Sequence, residues 1–259
     1  MDKELTREEW RQVQLKMLDE LHAFCTAREL RYSLAFGTLI GAIRHKGFIP
    51  WDDDVDIIMP VPDMLRLKAE LKSDNIKYLD IDTEPHFSFG FSRIAHKATY
   101  QKTGRSPKMY GVTIDLYPLI PLPKTKSERQ TYFAIGELLL KKRMRYVHLR
   151  DALSNRIGIG TILGFDRAVR AYRDHMLFTG CPYEEASVYF ILSMGLRRRA
   201  KVMYDYDLFQ STQLTEFEGR QYSIISSYDA FLRQFYGDYM QLPPEKDRHP
   251  RHGGHFYWY

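Results

Sequence analysis

Asp52, Asp54 and Asp56 fall on alternate positions of the stretch FIPWDDDVDIIMP. In an extended chain alternate side chains share a face, so the three carboxylates would crowd one surface while Val55 and Ile57 turn into a core. Carboxylates that close repel one another unless a cation sits among them. An all-oxygen set of this kind suits Mg²⁺ or Mn²⁺. Acidic runs are often solvated loops, but this one is bounded by FIPW and VDIIMP, and a solvated loop rarely sits within so much apolar sequence.

A second chemical feature lies just upstream, in LAFGTLIGAIRHKG. Gly37, Gly41 and Arg44 stand at i, i+4 and i+7 and share one face of a helix, with Leu39, Ile40 and Ile43 opposite. Glycines on that face would admit a ligand close to the backbone. The helix should begin at Gly37-Thr38, where unpaired N–H groups and the helix dipole favour a phosphate, and end at Lys46-Gly47. Arg44 offers a planar, bidentate phosphate contact. A third acid, Asp115, stands alone in the apolar strand VTIDLYP, where a charge is costly unless it is paired or bound to metal. It reads as a third carboxylate beside Asp54 and Asp56, or else as the partner of a base such as Arg93.

The elements that must position these groups follow from periodicity. Trp10, Val13, Met17, Leu21 and Phe24 recur at helical spacing, so a helix is expected over residues 5–30, with Thr6 and Glu9 as a capping box. A strand over 31–36 leads into the glycine helix, and the acidic run continues as a strand through Met59. A helix over 62–72 and a short strand over 77–82 come next. Phe87, Phe89 and Phe91 alternate with Ser88, Gly90 and Ser92 and predict a strand over 87–96, with 99–102 as its hairpin partner. Residues 112–118 form a further strand. After Pro123 the pattern turns mainly helical, with helices over 124–150, 165–178, 184–194 and 228–236 and a hairpin within 201–225. The expected division is a catalytic core over 1–123 and a helical extension over 124–259 packed on it.

Composition bounds the rest. The chain has 259 residues, 44% hydrophobic and 27% charged, ordinary for a soluble globular protein. Its formal charge of +5 fits anionic substrates, or weak attraction to an anionic membrane surface, and is too small to demand nucleic acid. Cys25 and Cys181 have no metal spacing and read as reduced thiols of a cytosolic protein, possible at the inner membrane face only as a peripheral contact. No signal peptide and no bilayer-spanning run is visible. The basic runs 141–145 and 197–201 read first as solvated helix faces and second as contacts for an anionic headgroup. His249, His252 and His255 lie in a tail read as mobile rather than as a metal site.

The stretch FGTLIGAIRHKGFIPWDDDVDI resembles the signature of the LicD family, which includes bacterial phosphocholine transferases and is related to fukutin and fukutin-related protein. VTIDLYPL, EFEG at 216–219 and YGDYMQLPP at 236–244 resemble further blocks of that family. The resemblance implies an α+β fold: a nucleotidyltransferase-like mixed sheet flanked by helices, with a mainly helical C-terminal part. It implies Asp54 and Asp56 as the metal-binding pair and Asp115 as the third carboxylate. Gly37, Thr38, Gly41 and Arg44 would lie on the phosphate side, with His45, Trp51 and Arg93 as further substrate contacts. The implied reaction moves a phospho-alcohol, foremost phosphocholine from CDP-choline, onto a hydroxyl of a cell-surface glycan or its lipid-linked precursor. It would use two Mg²⁺ ions and release CMP. A nucleotidyltransferase that transfers NMP from an NTP, and a non-catalytic nucleotide-binding module, are the alternatives. The chain departs from the family at Ile120, where an acid is frequent.

Overall fold

The computed structural model describes residues 3–84, 87–102, 109–157, 164–192, 202–250 and 255–259. The first helix, α1 (Arg7–Ala27), is capped as expected: Thr6 Oγ1 accepts the Glu9 N–H, and the Glu9 carboxylate accepts the Thr6 N–H. Its apolar face, with Met17, Leu18 and Leu21, is buried. There follow β1 (Ser33–Leu34), α2 (Phe36–His45), β2 (Asp56–Pro60), α3 (Val61–Glu70), β3 (Ile76–Leu79) and β4 (Ser92–His96). The middle of the chain holds β5 (Thr99–Gln101), β6 (Met109–Tyr110), β7 (Thr113–Pro121), α4 (Lys126–Ile157) and α5 (Phe165–Leu177). The remainder comprises β8 (Tyr189–Ile191), β9 (Met203–Tyr204), β10 (Thr212–Phe217), β11 (Arg220–Ile225), α6 (Tyr228–Tyr236) and β12 (Phe256–Trp258).

The central sheet runs β1-β2-β7-β4-β3, with β8 paired to the far half of β7 and β9 to β8. β2 and β7 are parallel and the other pairs antiparallel, so the sheet is mixed and the fold is α+β, as expected. β2, β7 and β4 are the interior strands of this path. Ile57, Ile58, Met59, Leu116, Leu119 and Ile120 are all fully enclosed, a continuous apolar run rather than an alternation, as strands covered on both faces require. Ile120, where the family frequently has an acid, is thus a core residue opposite Phe190.

Several expectations are corrected. The acidic strand begins only at Asp56; residues 52–55 are loop. The strand before α2 is two residues long, because Phe36 turns into the left-handed region (φ 46°) to start the helix. The helix ends with Lys46, not Gly47, in the left-handed conformation (φ 58°). Residues 87–91 are not strand, and 99–101 do not pair with β4. β5 lies instead in a separate three-stranded sheet, β12-β5-β6, whose outer strand comes from the C-terminus. The expected helix over 184–194 is a single 3₁₀ turn, Tyr183–Glu185, followed by β8. The hairpin within 201–225 is β10–β11, and α6 spans the expected residues. The basic run 197–201 and His252 lie outside the described residues. His255 Nδ1 contacts Glu4 Oε1 at 2.5 Å, so that part of the tail is tied down.

Candidate active site

The acids are placed by backbone pairing. Asp56 heads β2 and stands in register with Asp115 on the parallel neighbour β7; Arg93 on β4 stands in register with Asp115 on its other side. The three form a row across three adjacent strands. Thr38, in the first turn of α2, accepts the Asp56 N–H on Oγ1 at 2.9 Å, and the Ala35 N–H reaches the Asp56 carbonyl at 2.9 Å. The loop before β2 is braced from two directions. From α1, Arg7 and Arg11 donate to the carbonyl of Asp52 at 3.0 and 3.2 Å. From the β10–β11 turn, Glu218 Oε1 accepts the Phe48 N–H at 2.9 Å.

These elements wall an open cleft of about 630 Å³, a volume typical of sites for small molecules. Asp52, Asp54 and Asp56 line it, while Asp53 and Val55 are buried and do not. The alternation read from the sequence therefore holds for the faces, though most of it is loop. Phe36, Gly37, Ile40 and Arg44 of α2 form one wall together with Trp51; Phe235, Tyr236 and residues 238–244 form the opposite one. The two are tied by Arg44, whose Nη1 donates to the carbonyl of Tyr239 at 2.6 Å.

Each candidate can be located. A Cβ on Gly37 would lie 2.6 Å from Asp52 Oδ2, so the anion closest to that glycine is a carboxylate of the protein itself. Gly41 does not reach the cleft: a Cβ there would meet the carbonyl oxygen of Gly47 at 2.5 Å. It is a packing glycine, and the cleft face of α2 is Gly37, Ile40 and Arg44. Gly41→Ala is accordingly expected to destabilise the fold by roughly 1–3 kcal/mol through overpacking, read as a lowered melting temperature, with nucleotide affinity of the folded fraction unchanged. His45 packs edge-on to Trp51 at 6.4 Å; burial first, then Arg44, push its imidazole down, keeping it neutral at physiological pH.

Asp115 is held by Arg93. Arg93 Nε approaches Asp115 Oδ1 at 2.7 Å and Nη2 donates to Oδ2 at 3.1 Å, while the guanidinium lies 3.8 Å over the Phe89 ring. The pair is largely buried, and Asp115 meets the cleft only past Tyr117, whose hydroxyl donates to Asp115 Oδ2 at 3.4 Å and whose ring lines the cleft. Tyr117 was not among the residues singled out. Its signal was present, since it stands two positions beyond Asp115 and so shares a strand face with it. Burial first, then Asp56, Asp115 and Asp54, drive its hydroxyl well above the usual range, so it stays a donor.

Asp56 is electrostatically unusual. Burial, followed by Asp54, Asp115 and Asp52, raises its carboxyl well above the usual carboxylate range. Its Oδ1 is buried and has no hydrogen-bond partner. A buried oxygen left so is costly, and a divalent cation would satisfy it. The surroundings fit one: among the described residues, Asp52, Asp53 and Asp54 offer ligand atoms within 4.8 Å of one another. The donors are all carboxylate oxygen, the chemistry of Mg²⁺ or Mn²⁺. This grouping lies on the loop and differs from the expected set Asp54, Asp56 and Asp115.

With the geometry in hand, comparison with known proteins is informative. Residues 29–142 match the family model described as LicD/FKTN/FKRP, nucleotidyltransferase domain. Over 264 residues the chain is 30% identical to the lipopolysaccharide cholinephosphotransferase LicD of Haemophilus influenzae, an alignment covering 96% of this chain and 97% of that protein. The chain belongs to the LicD family. A shorter match, 38% identical over 56 residues, links it to an uncharacterized protein of Rickettsia prowazekii, covering 22% of this chain and 21% of that one. The segment matched by the LicD model holds the acidic loop, Arg93, Asp115 and Tyr117. The opposite cleft wall, from Phe235 onward, lies beyond it.

Proposed function

We propose that this LicD-family protein is a phosphocholine transferase acting on a glycan: it moves the phospho-alcohol of CDP-choline onto a glycan hydroxyl and releases CMP. The observation that carries the reading is the buried, unpartnered Asp56 Oδ1 at the head of an acid-lined cleft. Membership of the family, and the activity that the Haemophilus relative is named for, point to the same substrate class.

The cleft-lining acids Asp52, Asp54 and Asp56 would hold the divalent cation, with Asp53 within reach of the first two. Bound there, it would neutralise diphosphate charge and stabilise the leaving phosphate. The remaining work falls to side chains of the chain. Phe36 and Gly37 of the first turn of α2 line the cleft, and the free N–H groups and dipole at a helix start favour an anionic donor. Trp51, Tyr117 and Tyr236 give the cleft aromatic faces against which a base or a quaternary ammonium group packs. Arg93 fixes the Asp115 carboxylate; because a carboxylate offers about four lone-pair sites, Asp115 retains capacity to accept the proton of the incoming hydroxyl. Tyr117 donates to Asp115 and holds its orientation.

A CMP-release screen across CDP-choline, CDP-ethanolamine, CDP-ribitol and CDP-glycerol, with a glycan acceptor, tests the proposal. CMP release that requires both CDP-choline and Mg²⁺ is expected. Pyrophosphate release from an NTP, with none of the CDP-alcohols consumed, would replace this reading by nucleotidyl transfer.

A further inference from the structure

One surface remains unaccounted for by the cleft. α4 buries Tyr132, Phe133, Leu139 and Leu140 against the core. Its outer side is not what a solvated helix shows. Ile135, Leu138 and Leu149 are 41%, 65% and 46% exposed, and they share one line with Lys142 and Arg145, which stand between Leu138 and Leu149. The positions 135, 138, 142, 145 and 149 step by three and four, so they form a single stripe on the helix. Lys141 lies beside it and is likewise exposed.

We propose that this stripe of α4 rests on an anionic lipid surface. Exposed apolar side chains and cations sharing one face of a helix suit a helix lying in the plane of a membrane interface, where the apolar groups enter the headgroup boundary and the cations meet lipid phosphates. No helix of the described residues is long and apolar enough to cross a membrane, so contact by this face would be lateral. Charge decides the occupant. A second copy would set Lys141, Lys142 and Arg145 against the same cations, in a chain already carrying a formal +5; an anionic bilayer meets them with opposite charge.

The stripe also stands close to the chemistry. Tyr146 and Val147, on the next turn of α4, pack in the apolar cluster that includes Phe87 and Phe89, and Phe89 lies under the Arg93 guanidinium that holds Asp115. On the reading above, a lipid-linked acceptor in the same surface would meet the site from its Asp115 side. The docking itself does not require that reading, because it can be measured without turnover.

The test is flotation of the full chain with vesicles of phosphatidylcholine mixed with phosphatidylglycerol, against vesicles of phosphatidylcholine alone. Binding to the anionic vesicles only, weakened by salt, is expected. The combined variant Lys141→Gln, Lys142→Gln and Arg145→Gln should lower partitioning about a hundredfold, roughly fivefold per charge removed. Leu138→Gln, at an exposed position that costs the fold little, should lower it severalfold. Both variants should release CMP with a soluble acceptor as the parent does. Equal partitioning onto neutral and anionic vesicles, no flotation of the folded parent, or a parent dimer that the variants convert to monomer would each overturn the proposal. Failure of CMP release with intact flotation would overturn only the assigned reaction.

Discussion

Asp56→Asn is expected to raise the melting temperature of the metal-free protein at neutral pH while removing its turnover. Burial and the carboxylates of Asp54, Asp115 and Asp52 hold the Asp56 proton more tightly in the folded chain than in the unfolded one. For an acid whose folded pKa is raised, the ionised form opposes folding. Metal-free stability is therefore lost as pH rises through the folded-state value and recovered as pH falls toward the ordinary aspartate range. Melting curves in EDTA should show wild type gaining on Asp56→Asn over that interval, with the variant ahead at neutral pH. Added Mg²⁺ should stabilise wild type at neutral pH and leave the variant largely unmoved, since binding to the native state alone raises stability by mass action. Loss of several kcal/mol of charge stabilisation corresponds to a rate reduced about a thousandfold or more. A variant that melts with wild type at every pH, or that turns over normally in Mg²⁺, would remove Asp56 from a metal site.

Arg93→Ala should be the more damaging change to the fold. It leaves the Asp115 carboxylate buried without its ion-pair partner, a loss of about 3–5 kcal/mol for a broken buried pair. Asp115→Asn should cost less, because an amide in the same place is neutral. The double variant should therefore be more stable than Arg93→Ala alone, and a thermodynamic cycle isolates the coupling from the lost packing of Arg93 on Phe89. Catalysis separates along another axis. With Asp115 as the proton acceptor, Asp115→Asn lowers the single-turnover rate by about 10²–10⁴ while donor affinity changes far less. A folded Asp115→Asn protein with an unaltered single-turnover rate would leave Asp115 a structural partner of Arg93 and nothing more.

What could be read in the sequence was local. The cap of α1, the span of α6 and the faces presented by Asp52, Asp54 and Asp56 depend on neighbours a few residues away. What escaped was decided at a distance. Residues 189–191 read as part of a helix because the segment around them contains good helix formers, but pairing with β7 overrides that preference. β6 and β12 are two or three residues each, too short to announce themselves; β5 was expected as a strand, but its partners are β6 and the returning β12 rather than β4. Within the site, the i, i+4, i+7 spacing placed Gly37, Gly41 and Arg44 together, but spacing cannot say which groups approach from outside. The loop after α2 folds back on Gly41 and takes it from the cleft, whereas Gly37 stays at the rim. The pairing of Asp115 with Arg93 was one of two open readings, and strand register resolved the contact.

The bond from Arg44 to Tyr239 has an evolutionary corollary. Its acceptor is a main-chain carbonyl, so the anchor asks nothing of the side chains along residues 238–244. Apart from Tyr239, which is buried and whose hydroxyl donates to Asp229, that segment can be rewritten, or exchanged as a block between relatives, without losing this bond to α2. The acids on the facing wall lie some two hundred positions away in the chain and would be untouched by such a graft. Drift along this one short strap is therefore an inexpensive route by which descendants of a common ancestor could come to accept different head groups while keeping the same phosphate chemistry.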